Sequence, residues 1–500
     1  MNPRQSVQPP LAFIPPRFNP WVSRFSYMAL PLLLTLRLRP WLPAGIQRVE
    51  VNRAKTLVNL FHQFQTGKIR LLIAFRHVEV DDPLCMGYMF SRTVPRVARK
   101  QHIPLKHPIH SHFMYDRGMS LWAGTWLKGF FACLGGISVR RGRRMDLTAI
   151  KTARDILING QFPLTIAPEG ATNGHSDILS PLEPGVAQMA FWGVQDLKHQ
   201  ARSETMIVLP VSIRYHYPQP DWSQLDRLME RLEVDCGLTP YPLPPSPQLN
   251  SDVSYLAACY QRLVRIGTQM LSITEQVYRN FYHAPLDKLV QADSQLAEGI
   301  ELPEDDRLAS DNERTINNEA IAHHLPSLLD EMLKIGERYF GLPSGGELPT
   351  RCRRLEEAGW NRIYREDIAD IEVLSPMEKG FADRIARESQ WMMLHMRLVE
   401  SLVAVTGHYV KETPTFERFA ETTLILFDVM ERIKNVTIPC RPRLGWREAH
   451  ITIGNPISVT ERWSSYAGNR RSGKQAIDTL TADIQRELER LMLESQALVE

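Results

Sequence analysis

The stretch KIRLLIAFRHVEVDDP, Lys68 to Pro83, joins two kinds of local order. Ile69 to Phe75 is apolar except for Arg70 and reads as a buried strand. Asp82-Pro83 reads as an N-cap followed by the first residue of a helix. A buried strand that feeds a helix is the repeating unit of a parallel α/β sheet. His77 falls between the two, with Glu79, Asp81 and Asp82 close behind it. Such a histidine is either a base oriented by a carboxylate or a polar strand end. The stretch alone leaves both open.

Moving outward, strand and helix signals alternate from about 46 to 216. IQRVEV is a short strand, and Asn52 can cap a helix that ends at Gly67. HFMY, ISVRR, FPLTIAP and MIVLPVSIRY read as further strands. MSLWAGTWLKGFFACLGG reads as a helix stopped by paired glycines, and Asp146 opens a helix that stops at Asn159-Gly160. PGVAQMAFWGVQDL is a helix with proline near its start. Pro210 inside MIVLPVSIRY marks a sheet edge or a distortion. The alternation predicts an α/β fold, a mostly parallel sheet flanked by helices.

After Tyr217 the texture changes. YPQPDW and LTPYPLPPSPQLN are proline-rich connectors, and residues 251 to about 436 are mostly helical. Trp391, Leu394, Leu398, Leu402 and Val405 are spaced as one apolar helix face. Thr413-Pro414 opens a last helix of that region, and residues 298–314 read as a polar loop. HITIGNPISV, residues 450–459, returns to strand character. A lone strand cannot bury itself, so it is expected to rejoin the sheet. That makes 217–445 a large all-helical insertion between a core at 46–216 and a tail at 446–500. The tail ends in a charged amphipathic helix.

Composition bounds the function classes. The 500 residues are 43% hydrophobic and 23% charged, with a net charge of only +3, so the chain as a whole is no polycation and no nucleic-acid partner is indicated. The cysteines at 85, 133, 236, 259, 352 and 440 stand singly and suit reduced cytosolic thiols. Residues 1–45 hold five arginines and no acidic residue, and Arg48 follows before the first acidic residue, Glu50. Within them, FSYMALPLLLTLRLRPWLP is too short and interrupted to span a bilayer. Its arginines and the flanking Trp21 and Trp41 suit insertion into one leaflet's interface, against the alternative of a helix packed on the domain. The expected location is cytoplasmic, peripheral or monotopic on a membrane surface.

Four short motifs carry chemistry. His77 can act as a base if a carboxylate holds one ring nitrogen protonated. Asp82, Asp81 and Glu79 all compete for that role, and Asp82 can equally be a plain helix cap. VRRGRR, residues 139–144, places arginines around a glycine; taken alone it reads as a solvated basic turn, although its forks would match phosphate oxygens. APEGATNGHSD, residues 167–177, has glycines that let backbone N–H groups approach an anion. Its Glu169 suits a bond to a substrate hydroxyl or to a neighbouring arginine. VLPVSI, residues 208–213, is the fourth. His102, His107, His110 and His112 match no ordinary zinc spacing, and no metal is expected. The chain lacks GxSxG, which argues against a serine-hydrolase route.

In this order, the motifs resemble those of the glycerolipid acyltransferases, the PlsC-like 1-acylglycerol-3-phosphate acyltransferase branch. His77 and Asp82 match the His-x4-Asp motif. GGISVRR, residues 135–141, matches the second motif with Arg141 at its arginine. Pro168-Glu169-Gly170 matches the third, and LPVSI around Pro210 the fourth. The resemblance covers roughly 46–216 and 446–460, not the insertion. The sequence departs from the family pattern at Arg76, often Asn there, and at Ser138, Ala167 and Ala171.

The resemblance implies the glycerolipid acyltransferase fold and direct acyl transfer. His77 would be the base and Asp82 its orienting acid. Arg141, with Arg140 or Arg144, would hold an acceptor phosphate, and Glu169 and Gly170 would complete that site. The donor would be acyl-CoA or an acyl carrier protein, with no further cofactor. The acceptor would be a membrane lipid such as lysophosphatidic acid, giving phosphatidic acid. Other acceptors, such as glycerol 3-phosphate, a lysophospholipid or an amino-lipid, stay open. So does a non-catalytic, lipid-binding or scaffold role at the membrane surface.

Overall fold

A computed structural model describes residues 6–37, 44–119, 124–140, 146–241, 253–286, 318–368, 370–403, 405, 407–436 and 439–497. The chain divides into two compact units. One is Ala12–Pro220 with Cys440–Glu500, and the other is Met1–Leu11 with Asp221–Pro439.

The first unit is α/β, with a mostly parallel mixed sheet flanked by helices. Its strands are β1 (Ile46–Asn52), β2 (Ile69–Phe75), β3 (His112–Asp116), β4 (Gly136–Val139), β5 (Leu164–Ile166), β6 (Thr205–His216), β7 (Arg447–Ile453) and β8 (Ile457–Ser458). The order is β1-β7-β6-β2-β5-β3-β4, with β8 also on β6. Only the pairings of β6 with β7 and β8 are antiparallel. The return of the chain to the sheet after residue 446 is therefore realised. β7 fits between β1 and β6, in register Val51 to Ile451 and Ile213 to Ile451.

The sheet is buried on both faces, as the apolar runs require. Alternate residues of β2 go to opposite sides: Leu71, Ile73 and Phe75 to one core, Leu72 and Ala74 to the other. The first core is closed by α1 (Pro20–Thr35), α2 (Ala54–Gln65), α3 (Asp82–Tyr88) and α4 (Val94–Lys100). After α5 (Leu127–Cys133), the second core is closed by α6 (Leu147–Asn159), α7 (Gly185–His199) and α8 (Arg470–Ala497). Asp146 caps α6 as expected, accepting the Ala149 N–H at 3.1 Å.

Several local expectations are corrected. Asn52 ends β1, and α2 is preceded by Arg53 in a left-handed conformation without a side-chain cap. Pro210 is not at an edge, because β6 has partners on both sides. It lies between the segments of β6 that pair with β7 and with β8, where the ladder is interrupted and a missing N–H costs least. α1 runs through Pro31.

The second unit is built from helices that include Trp222–Asp235, Val253–Tyr282, Asn318–Phe340, Leu348–Ile363, Pro376–Leu402 and Phe416–Ile433. Leu398 is buried on Pro376–Leu402 as expected, beside Met393, Met396 and Val399, whereas Trp391 is exposed and Val405 lies beyond the helix end. The last helix is capped by Thr415, two residues after the expected start. Residues 298–314 lie outside the described residues.

Candidate active site

Parallel neighbouring strands bring their carboxyl ends to one sheet edge, where an open α/β sheet forms its crevice. β6, β2 and β5 are adjacent, so the residues that follow them converge. His77 comes just after β2, Glu169 just after β5, and Tyr215 from the end of β6. β7 is antiparallel to β6, so its first residue, Arg447, lies at the same edge.

His77 Nδ1 is 2.8 Å from Asp82 Oδ2. An ionised carboxylate only accepts, so this bond puts the ring proton on Nδ1 and the lone pair on Nε2. The His77 side chain keeps 24% of its surface, while Asp82 is fully buried. Among the described residues no bond to Nε2 is recorded.

The capping expectation for Asp82 does not hold. Asp81 precedes α3 as its cap without a side-chain cap bond, and Asp82 is the first helical residue. Its carboxylate instead accepts from His77, from the Glu79 N–H at 2.9 Å, and from the Tyr215 hydroxyl at 2.6 Å. Burial and the charges of Asp82, Cys85 and Asp81 push the Tyr215 phenol well above its ordinary range, so it remains a donor. Of the three competing carboxylates, only Asp82 meets the imidazole. Glu79 and Asp81 turn to Arg447, at 2.5 and 2.6 Å.

Glu169 is held between two loops, with the Arg76 guanidinium acting on its charge. Its Oε1 accepts the backbone N–H of His77 at 2.9 Å, and its Oε2 accepts that of Ser180 at 3.0 Å. Both oxygens thus help to fix the loops. Burial raises its carboxyl above the ordinary value, against the pull of the Arg76 guanidinium. Gly170 has φ +72°, and a Cβ there would stand 2.0 Å from Glu183 Oε1. The left-handed conformation favours glycine, and a larger residue would also displace the Glu183 carboxylate.

Arg76, where the resembled family often has Asn, is fully buried. Its guanidinium donates to the carbonyl oxygens of His175 at 2.7 Å, Ile178 at 2.6 Å and also Ser176. It therefore pins the loop after Gly170 beneath the His77 backbone. An asparagine could not reach three carbonyls. The arginine is a loop anchor.

Arg140 is buried, and its backbone N–H donates to Asp146 Oδ2 at 3.2 Å. Arg117 donates to Ser138 O at 3.1 Å and pairs with Asp146. Arg141 and Arg144 lie outside the described residues. No group of His, Cys, Asp and Glu with metal-binding geometry occurs among the described residues. His110 and His112 are instead bound to backbone carbonyls, those of Leu134 at 2.8 Å and Gly135 at 2.9 Å.

Sequence reasoning missed Tyr215 and Arg447. The period of β6 puts Tyr215 on the same face as Val211 and Ile213, which is a core signal and not a site signal. Arg447 precedes the strand alternation and carries no motif. Searches against protein-family models and against curated proteins return no match for this chain.

Proposed function

We propose that this protein is an acyltransferase that moves a fatty acyl group from a thioester to the hydroxyl of a lysophosphatidic-acid-like lipid. The observation that carries the reading is the His77–Asp82 pair at a strand end, with Nδ1 held and Nε2 left for substrate. Nε2 takes the proton of the acceptor hydroxyl. The oxygen attacks the thioester carbonyl of acyl-CoA or an acyl carrier protein. The ester C–O bond forms, the C–S bond breaks, and the leaving thiolate takes the proton from the imidazolium. Arg141, with Arg140 or Arg144, holds the acceptor phosphate.

Membrane attachment belongs to the same reading. Among the described residues, no helix is long and apolar enough to cross a membrane. α1 buries Leu30 and Leu34 and exposes Trp21 at 67%, Phe25 at 66% and Met28 at 62%, with Leu32 continuing the stripe. These positions are three and four apart, so one face is turned outward, and it suits the interfacial region of a leaflet.

The test is purified protein with labelled acyl donors and a panel of acceptors. Acceptor-dependent thioester cleavage that yields phosphatidic acid supports the reading. Product only from glycerol 3-phosphate, a lysophospholipid or an amino-lipid keeps the reaction and replaces the acceptor. Absence of acceptor-dependent cleavage with every pair refutes the enzyme.

A further inference from the structure

Two buried side chains stand behind the His77–Asp82 pair, and each reaches it from a distant part of the chain. Tyr215 donates to Asp82 Oδ1 at 2.6 Å. Arg447 lays its guanidinium over the Tyr215 ring, 4.8 Å from the centroid. The same guanidinium bridges Glu79 Oε2 at 2.5 Å and Asp81 Oδ2 at 2.6 Å, and donates to Ala44 O at 3.0 Å.

We propose that Tyr215 and Arg447 are positioning residues for the His77–Asp82 pair, so that the strand beyond the helical insertion completes the catalytic centre. The inference deepens the acyl-transfer reading and rests on it for its activity readout.

An orienting aspartate works only if its plane is held, because rotation would move the oxygen away from the imidazole. Asp82 is held by three donors: His77 Nδ1 and the Glu79 N–H on Oδ2, and the Tyr215 hydroxyl on Oδ1. Oδ1 belongs to a fully buried residue, where a lost hydrogen bond is costly.

Glu79, Asp81 and Asp82 are three buried carboxylates within four positions. Close like charges oppose one another's ionisation, so the loop needs a cation beside it. Arg447 supplies it between Glu79 and Asp81, and Arg441 adds a second at 3.5 Å from Glu79. Burial alone would raise the Glu79 carboxyl, but Arg447 and Arg441 outweigh it and hold it below its ordinary value. Burial pushes Asp81 up to about 6, with Arg447 pulling against it. A lysine could not bridge two carboxylates and a carbonyl while stacking on a ring, whereas the arginine fork can. The remaining groups against the pair are Cys85, whose Sγ is 3.7 Å from the Tyr215 hydroxyl, and Glu169 on the His77 N–H.

Tyr215→Phe tests this in the full-length protein, because it keeps the ring beneath Arg447 and removes only the hydroxyl. Two quantities are read: kcat and KM for acyl transfer, and the titration of the His77 ring by NMR of nitrogen-labelled histidine. The expected result is a fall in kcat of roughly ten- to a hundredfold with little change in KM for the acyl donor. The His77 midpoint should rise by about 0.5 pH unit or more, since an Asp82 relieved of one donor acts more strongly on the imidazolium. An unchanged midpoint overturns the role of Tyr215, whatever happens to kcat. Arg447→Lys keeps the charge without the fork and should lower kcat by roughly three- to tenfold. Wild-type kcat and midpoint in that variant remove Arg447. If the wild type transfers no acyl group to any acceptor, the acyl-transfer reading fails, and the NMR arm still decides the positioning.

Discussion

The carboxylate of Glu169 accepts the backbone N–H of His77 at 2.9 Å, tying the end of β5 to the end of β2. Its other oxygen accepts the Ser180 N–H. Glu169→Gln would turn an NH2 group toward one of these two donors and leave it unbonded. The variant should lose about 1–3 kcal/mol of stability, measured by urea unfolding. Its acyl transfer should fall together with the order of the His77 backbone. Full stability in this variant would show that the two loops are fixed by other contacts.

His77→Ala should abolish acyl transfer while leaving the circular dichroism spectrum and the unfolding midpoint close to wild type. His77 is partly exposed and packs little of the core. Asp82→Asn should also be severely impaired, because the amide can turn an N–H toward Nδ1 and favour the wrong tautomer. Substantial transfer by His77→Ala would refute the base assignment.

Arg76→Met removes the donor to three carbonyl oxygens while keeping most of the side-chain volume. Three acceptors would be left in a buried site, at a cost of about 3 kcal/mol or more. The loop 173–178 should then become the first site of limited proteolysis. An unchanged cleavage pattern would mean that the loop does not depend on this arginine.

Acid should destabilise the fold through His110. Its Nε2 donates to Leu134 O at 2.8 Å, and its Nδ1 accepts from the Tyr27 hydroxyl of α1. Burial lowers the imidazole from 6.5 to about 4, with His112 adding to the effect and the Leu134 bond opposing it. Between those values the unfolded chain binds a proton that the folded chain refuses. The stabilising contribution is therefore complete above about pH 6.5 and is lost as the pH falls toward 4, by about 2 kcal/mol at pH 5. His110→Phe should remove that part of the difference between urea unfolding at pH 7 and pH 5. An equal pH dependence in both proteins would contradict it.

Phe25→Glu with Met28→Glu places charge on the exposed face of α1 and leaves its buried face untouched. Sedimentation with anionic liposomes should fall at least about tenfold, with no change in the unfolding midpoint. Undiminished binding would place the membrane contact elsewhere.

Much of this architecture is local and legible in the sequence. Burial of a strand on two faces demands a run such as LLIAF, and a helix after it needs a start such as Asp82-Pro83. The spacing of His77 and Asp82 follows from that turn, so one strand-to-helix junction already brings the pair together. β7 was legible too, because a strand pattern isolated beyond a helical region has no other place to be satisfied. Local signals misled where propensity competes with partners. Asp82 looks like a cap, yet its oxygens find an imidazole, an amide and a phenol. Pro210 reads as an edge or a distortion, and only the partners of β6 decide for the second, at the gap two neighbouring strands leave. Trp391 fits an apolar spacing but faces outward.

The supports of the site were decided only by tertiary structure. Glu169 reaches His77 across 92 positions, Tyr215 reaches Asp82 across 133, and Arg447 reaches Asp81 across 366. No periodicity spans such distances. Each contact exists because the sheet order places the ends of β5, β2 and β6 and the start of β7 at one edge. The sequence by itself determined the strands, their burial and the spacing of the histidine and its acid, since each is set by a few neighbouring residues. The strand order determined what holds that acid, since hydrogen bonds and buried charges are satisfied by whatever the folded sheet brings within reach.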